Sequence, residues 1–183
     1  MIAAHTTGPT LVVTPTPADA DRVARSIQFH AGAQLPVSTL PPDDVRPYDC
    51  ISPHPDVVRA RVAAIDLLDR KGPCVVVASG RALVHRVLAP EALVALTAHL
   101  KVGEVVDPVA WVEQQIRAGY RATHRVDEPG GISARGAVID IWPTGRDGPV
   151  RIELFDDEIE DIRVLDPSTQ RSQESLSTIR VPP

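Results

Sequence analysis

The sequence predicts two units of different fold class: an α/β unit with a parallel sheet, followed by a small α+β unit with an antiparallel sheet. In the first half, short apolar runs alternate with helical patterns, as expected of parallel strands joined by right-handed crossovers. In the second half, several β-rich segments follow one another directly, with one helical segment among them. We therefore place the domains at residues 1–91 and 92–183.

Short apolar runs predict the strands of the first half. Cys74–Ala78 fits a buried central strand, and Thr10–Thr14 fits a second one. Gln34–Ser38 fits a third strand, which its proline places at an edge of the sheet. The predicted helices are Ala18–Ala31 with Thr16 as N-cap, Asp56–Arg70 with Asp56 as N-cap, and a helix after the Ser79-Gly80 turn that carries Leu83, Val84 and Val87.

The second half is predicted to contain one amphipathic helix, from Asp107 to about Ala118, because Asp-Pro is typical of a helix start. Segments rich in β-branched residues predict the strands. These are Leu96–Gly103, Tyr120–Val126, three consecutive strands at Arg135–Trp142, Val150–Phe155 and Glu158–Leu165, and a last strand at Thr178–Val181.

The middle strand of the consecutive set carries an unusual polar face. Side chains alternate across a strand, so Arg151, Glu153 and Phe155 point away from the face that Val150 begins. One interpretation is a solvated arginine paired to Glu153 or to a neighbouring strand, with the phenylalanine under a loop. The other is a protein-binding hot spot, since arginine and aromatic residues are enriched there. The pattern alone favours the first interpretation.

Composition and charge restrict the class of protein. Hydrophobic residues make up 43% of the 183, which is enough apolar mass for a core, and the formal net charge is −5. An acidic chain argues against a general nucleic-acid-binding surface, so we expect weak or no DNA binding. No signal peptide or membrane-length apolar run is present, so we expect a cytoplasmic protein with Cys50 and Cys74 as free thiols.

No catalytic or metal site emerges from the residues. A phosphate-binding loop needs a lysine followed by serine or threonine, but Lys71 precedes Gly72 and Lys101 precedes Val102. A Cys50–His54 nucleophile pair lacks an orienting third group. The acidic cluster at residues 156–161 could bind a cation, but it fits a solvated strand edge better. We therefore expect no cofactor and no catalytic residue.

Three ordered motifs carry a resemblance to a known family. Residues 135–143 read RGAVIDIWP, residues 151–171 read RIELFDDEIEDIRVLDPSTQR, and residues 47–56 read PYDCISPHPD. Together they resemble the UvrB-homology region of bacterial nucleotide-excision-repair proteins. The tail at residues 166–171 is closer to the transcription-repair coupling factor (Mfd) branch than to UvrB itself, and the long Tyr-rich hairpin of UvrB has no counterpart.

The resemblance implies a partial helicase-like α/β domain followed by a domain that binds UvrA. The family's UvrA-contacting positions fall on Arg135, Arg151 and Phe155. Neither the translocase motor nor the RNA-polymerase-binding module of the family is covered, so the resemblance implies a non-catalytic module of transcription-coupled repair. The alternative is a UvrB-like DNA-contacting domain involved in damage recognition. Because the first domain resembles only part of its counterpart, we also expect self-association through uncovered apolar surface.

Overall fold

The structure, a computed structural model, describes residues 6–45, 48, 50, 52–169 and 171–183. It divides into two compact units, Met1–Pro90 and Glu91–Pro183. Within the loop motif at residues 47–56, Pro47, Asp49 and Ile51 lie outside the described residues. Among the helices described, none has the length and apolar character needed to cross a membrane.

The first unit is built on a three-stranded parallel sheet. Its strands are β1 (Pro9–Thr14), β2 (Val37–Leu40) and β3 (Cys74–Ser79), in the spatial order β1-β3-β2. All six residues of β3 are buried, as expected for a valine-rich strand with neighbours on both sides. The predicted central strand is confirmed, and β2 lies at an edge but begins three residues later than expected.

Two helices cover opposite faces of this sheet. Helix α1 (Pro17–Ala31) packs Ala20, Ala24 and Ile27 against the face that carries Val75 and Val77, and a 3₁₀ turn follows at Gly32–Gln34. Helix α2 (Pro55–Asp69) packs on the other face. The buried residues on that face are Leu40, Ala64, Val76, Ala78 and Ala82.

The sequence predicted the N-cap of α1 correctly and that of α2 incorrectly. The Thr16 side chain caps α1 by accepting a hydrogen bond from the N–H of Asp19, as expected. The cap of α2 is His54, not Asp56, because Pro55 occupies the first helical position and the residue before it becomes the cap. Asp56 lies in the first turn, where a carboxylate complements the helix dipole.

The helix predicted after β3 is much shorter than expected. Helix α3 spans only Gly80–Leu83, capped by Ser79. Beyond α3, the carbonyl of Ala82 accepts a hydrogen bond from Arg61 of α2 at 3.4 Å. The side chains of Val84 and Val87, expected on the helix, are exposed.

The second unit contains a six-stranded sheet of mainly antiparallel pairs, in the order β10-β9-β8-β7-β6-β5. Its strands are β5 (Arg121–Ala122), β6 (Gly131–Arg135), β7 (Val138–Ile141), β8 (Val150–Phe155), β9 (Glu158–Leu165) and β10 (Ser172–Ser175). Only β5 and β6 run parallel. Strands β4 (Ala98–Lys101) and β11 (Thr178–Val181) pair separately as an antiparallel two-stranded sheet.

One helix packs on this unit's core, and a short one precedes it. Helix α4 (Pro90–Leu96) was not predicted, whereas α5 (Pro108–Ala118) was. Asp107 caps α5 by accepting hydrogen bonds from the N–H groups of Val109 and Ala110 at 2.9 and 3.0 Å. Isoleucines dominate the core below, at positions 132, 139, 141, 152, 159, 162 and 179.

Three of the predicted strands in this unit have different bounds. The expected strand Leu96–Gly103 is the shorter β4, and Leu96 ends α4. The run Arg135–Trp142, expected as one strand, is the end of β6, a two-residue turn and β7. Gly136 forms that turn with φ of 58°, a left-handed conformation that interrupts an otherwise continuous β-rich run. Arg135 therefore ends a strand instead of beginning one. Likewise, only Arg121–Ala122 of the expected strand Tyr120–Val126 pairs in the sheet.

Candidate protein-binding site

Strand β8 presents the alternation that the sequence predicts. Val150, Ile152 and Leu154 are buried, and Ile152 belongs to the isoleucine-rich core. Arg151 and Phe155 point to the opposite face, where Arg151 is half-buried and Phe155 is exposed. We call this opposite face, with the residues that pair beside it on β6, β7 and β9, the outer face of the sheet. The candidate site lies there.

Strand register defines two rows across the outer face. The first row runs from Ser133 through Asp140 and Arg151 to Arg163, each on the next strand. The second row lies two residue pairs further along the strands and runs from Arg135 through Val138 and Glu153 to Asp161. Side chains directly opposite one another in a sheet share a face, so these rows bring four strands' charged residues together.

Arg151 is held by a carboxylate on the neighbouring strand. Its Nε and Nη2 donate to Oδ1 and Oδ2 of Asp140 at 2.7 and 2.9 Å, the parallel fork geometry of a strong arginine–carboxylate pair. Asp140 is only 2% exposed. These hydrogen bonds raise the pKa of the Arg151 guanidinium above its ordinary value. Arg151 therefore pairs to a neighbouring strand, as the first interpretation of this face predicted.

Arg135 approaches the same carboxylate. Its Nη2 lies 3.6 Å from Oδ2 of Asp140, while 63% of its side chain remains exposed. Asp140 thus brings together two of the three predicted site residues. Sequence reasoning did not single out this aspartate. The available signal was a charged residue between Ile139 and Ile141, in the middle of an apolar strand.

Arg163 is paired separately, on β9. Its Nε donates to Oδ2 of Asp161 at 2.6 Å, and its Nη2 lies 4.0 Å from a carboxylate oxygen of Glu153. The hydrogen bond from Arg163 to Asp161 raises the pKa of the Arg163 guanidinium. Arg151 and Arg163 are neighbours in the first row, so these two carboxylates offset the repulsion between them.

Phe155 lies at the end of β8, before the Asp156-Asp157 turn, and is 72% exposed. The expectation that a loop covers this ring is wrong. Phe155 and Arg151 are four positions apart on one strand, roughly 13 Å at the usual rise per residue. The three predicted site residues thus share the outer face: Arg151 is fixed by Asp140, Arg135 is largely free in solvent, and Phe155 offers an exposed aromatic ring.

The structure also describes the residues that were weighed for metal binding and for nucleophilic catalysis. Within the part of the chain that the structure describes, no three His, Cys, Asp or Glu side chains are grouped to hold a metal ion. Cys50 is exposed, Cys74 is buried, and neither forms a disulfide. Nδ1 of His54 accepts from the backbone N–H of Asp56 as a helix cap, which gives this histidine a structural role.

Comparison with known proteins gives the type of domain in the second half of the chain. Residues 98–183 match the family model of the UvrB interaction domain, and this segment contains the whole outer face. Beyond that segment, the chain resembles transcription-repair-coupling factors. It is 36% identical to the one from Myxococcus xanthus over 90% of this chain, 33% identical to the one from Haemophilus influenzae over 95%, and 31% identical to the one from Escherichia coli over 100%.

The chain is a homologue of the transcription-repair-coupling factors and contains their UvrB interaction domain in its second half. It spans only 14–16% of the length of these relatives.

Proposed function

We propose that this chain is a non-catalytic interaction module of transcription-coupled nucleotide-excision repair and that its outer face binds UvrA. The observation that carries the proposal is Phe155, an aromatic ring left 72% exposed on the same face as Arg135 and Arg151, within the segment that matches the UvrB interaction domain. Large aromatic residues and arginines dominate binding energy at protein interfaces.

The geometry suggests different roles for the two arginines. The Nε and Nη2 groups of Arg151 already donate to Asp140, which offsets its charge, so Arg151 contributes mainly a rigid part of the surface. Arg135 contacts Asp140 only at 3.6 Å and is free to turn its guanidinium towards a carboxylate of the partner. Phe155 supplies the apolar anchor. A platform that is ordered before binding loses less conformational entropy when the partner arrives.

Calorimetry with purified UvrA tests this function directly. Phe155→Ala and Arg135→Ala should each weaken binding by about 2 kcal/mol, the hot-spot range. Phe29→Ala is a matched control, because Phe29 is also exposed, at 84%, but lies on α1 in the first unit. The melting temperature should stay constant in all three variants, since exposed side chains contribute little to stability. Equal affinity of Phe155→Ala and the parent would place the interface elsewhere.

A salt titration separates UvrA binding from the alternative of a UvrB-like DNA contact. Binding to DNA through Arg135 and Arg163 would weaken steeply with salt, because neutralised phosphates release counterions. A contact centred on Phe155 should depend on salt only weakly. The formal net charge of −5 and the carboxylates of Glu153 and Asp161 beside these arginines favour a protein partner. Strong, salt-sensitive DNA affinity together with no UvrA affinity would support the alternative.

A further inference from the structure

Phe155, Glu158 and Val105 form a row across three neighbouring backbone segments of the second unit. Phe155 pairs with Glu158 at the closed end of the β8–β9 hairpin. Glu158 in turn pairs with Val105 through an antiparallel bridge. Directly opposite residues point to the same side of a sheet, with Cβ atoms about 5 Å apart. The row therefore continues the outer face, in the order aromatic, acidic, aliphatic.

Backbone hydrogen bonds fix the segment that carries Val105. The N–H of Ile159 donates to the carbonyl of Glu104 at 2.9 Å, and the N–H of Val106 donates to the carbonyl of Asp157 at 2.8 Å. Val106 packs against the core, which directs Val105 outwards. The position of Val105 beside the hairpin is thus set by the fold and does not depend on a flexible loop.

The three side chains are available to a partner. Val105 is 64% exposed, close to the exposure of Phe155. Within the described residues, the Glu158 carboxylate has no hydrogen bond or ion pair, whereas Glu153 and Asp161 both have Arg163 nearby. Two apolar side chains thus flank one carboxylate that lacks a counter-ion.

Resting on the proposed function, we infer that the UvrA-binding surface extends from Phe155 across Glu158 to Val105, and that this extension receives a long basic side chain of UvrA. The aliphatic stem of an arginine or lysine packs against Phe155 and Val105, as such stems do on apolar surfaces. The cation lies beside the phenyl ring and meets the Glu158 carboxylate. Asp156 and Asp157, in the adjoining turn, add negative potential that favours a cation and disfavours phosphate.

Binding of purified UvrA to the full chain, at low and high salt, tests the extension. Val105→Ser and Glu158→Gln should each weaken the affinity about 5-fold, equivalent to about 1 kcal/mol. Val109→Ser and Glu174→Gln are matched controls, since both residues are exposed and lie outside the row, and they should leave the affinity unchanged. In Glu158→Gln the affinity should also lose part of its dependence on salt, because one screened charge pair is gone.

The variants distinguish the extension from the function on which it rests. If Phe155→Ala abolishes binding while Val105→Ser and Glu158→Gln bind like the parent, the extension is overturned and UvrA binding stands. If Val105→Ser weakens binding but Glu158→Gln does not, the proposal that a basic side chain of UvrA meets Glu158 is overturned. A parent chain that does not bind UvrA overturns both. Support requires weakened binding in both variants and non-additive effects of Phe155→Ala and Glu158→Gln in a double-mutant cycle.

Discussion

Asp140 and Arg151 face each other on adjacent strands and share two hydrogen bonds, of 2.7 and 2.9 Å, although Asp140 is almost completely buried. A carboxylate removed from water is destabilising unless it is paired and hydrogen-bonded. Arg151 supplies both the charge and the donors. The pair therefore belongs to the stability of the second unit as much as to the proposed binding surface.

Replacing either member of this pair should destabilise the second unit, but unequally. Arg151→Met leaves a buried carboxylate with only the 3.6 Å contact to Arg135 and should lower the free energy of unfolding by about 3 kcal/mol. Asp140→Asn leaves an arginine that water can partly reach and should lower it by less. Both tryptophans, Trp111 and Trp142, lie buried in this unit. A urea titration followed by tryptophan fluorescence therefore measures the unfolding of the second unit selectively. Equal, small effects would mean that the pair is weak.

Gly136→Ala should lower the free energy of unfolding by about 1 kcal/mol, because an alanine at φ of 58° is strained in the left-handed region. Nothing lies within 4 Å of the added Cβ, so crowding is not the cause. Gly136→Asn is the matched variant, since asparagine tolerates this conformation better than alanine. Fluorescence-detected urea titration should rank the stabilities as parent, then asparagine, then alanine. The opposite order of the two variants would rule out backbone strain.

Arg61→Met should destabilise the first unit by about 3 kcal/mol, since it removes one partner of a buried charge pair. The Arg61 guanidinium is buried, with its Nε 3.1 Å from Asp43, and it donates to the carbonyl of Pro41 at 2.6 Å. It thereby joins α2 to the loop after β2. Hydrogen exchange of the β3 amides measures the stability of this unit. Arg22→Met serves as the control, because Arg22 is an exposed arginine on α1. Unchanged protection in Arg61→Met would contradict the assignment.

The pKa of Asp166 is lowered to about 2 by a hydrogen bond from the Ser168 hydroxyl and by the backbone N–H of Thr169. A lowered folded-state pKa means that the carboxylate stabilises the fold fully above its unfolded value of 3.8, and that this contribution is lost as pH falls towards 2. Ser168→Ala should raise the pKa of Asp166, as measured by an NMR titration of its carboxyl carbon. Ser172→Ala, nearby on β10, should leave the titration unchanged.

Self-association is expected through the edge of the first unit's sheet. Strand β1 has one pairing edge open among the described strands, and Leu11 and Val13 on it are exposed. Their partners on β3, Val76 and Ala78, are buried on the face that α2 covers, so α2 covers β1 less completely than β3. Val13→Lys should reduce association in sedimentation velocity, as charges protect strand edges. Val94 on α4 is about equally exposed, and Val94→Lys should leave association unchanged. If both variants reduced association equally, the β1 edge would be excluded as the contact surface.

The sequence predicted those features that depend on neighbouring residues. The alternation of β8 needs only the period of a strand, so the side to which Arg151 and Phe155 point followed from the pattern. The pairing of Arg151 with Asp140 depends on strand register, which the sequence left open. The contact of Arg61 with the carbonyl of Ala82 likewise joins residues about twenty positions apart in the chain. Such long-range contacts have no local sequence signal.

The turn at Gly136 shows a different reason for error. The residues that follow it, Val138–Trp142, favour a strand, and no proline or polar turn residue separates them from Arg135, so the pattern indicated one strand. Only a glycine at positive φ marks the reversal. The single glycine in this run was the available signal, and it carried less weight than the apolar residues around it.

The buried carboxylate of Asp140 links the evolutionary history of position 140 to that of position 151. If position 140 first becomes neutral, the guanidinium loses its counter-ion; if position 151 changes first, a carboxylate is left buried without its main partner. Either single step passes through a less stable intermediate, whereas a simultaneous change to two well-packed neutral residues need not. The two positions, on different strands, are therefore expected to co-vary among homologues.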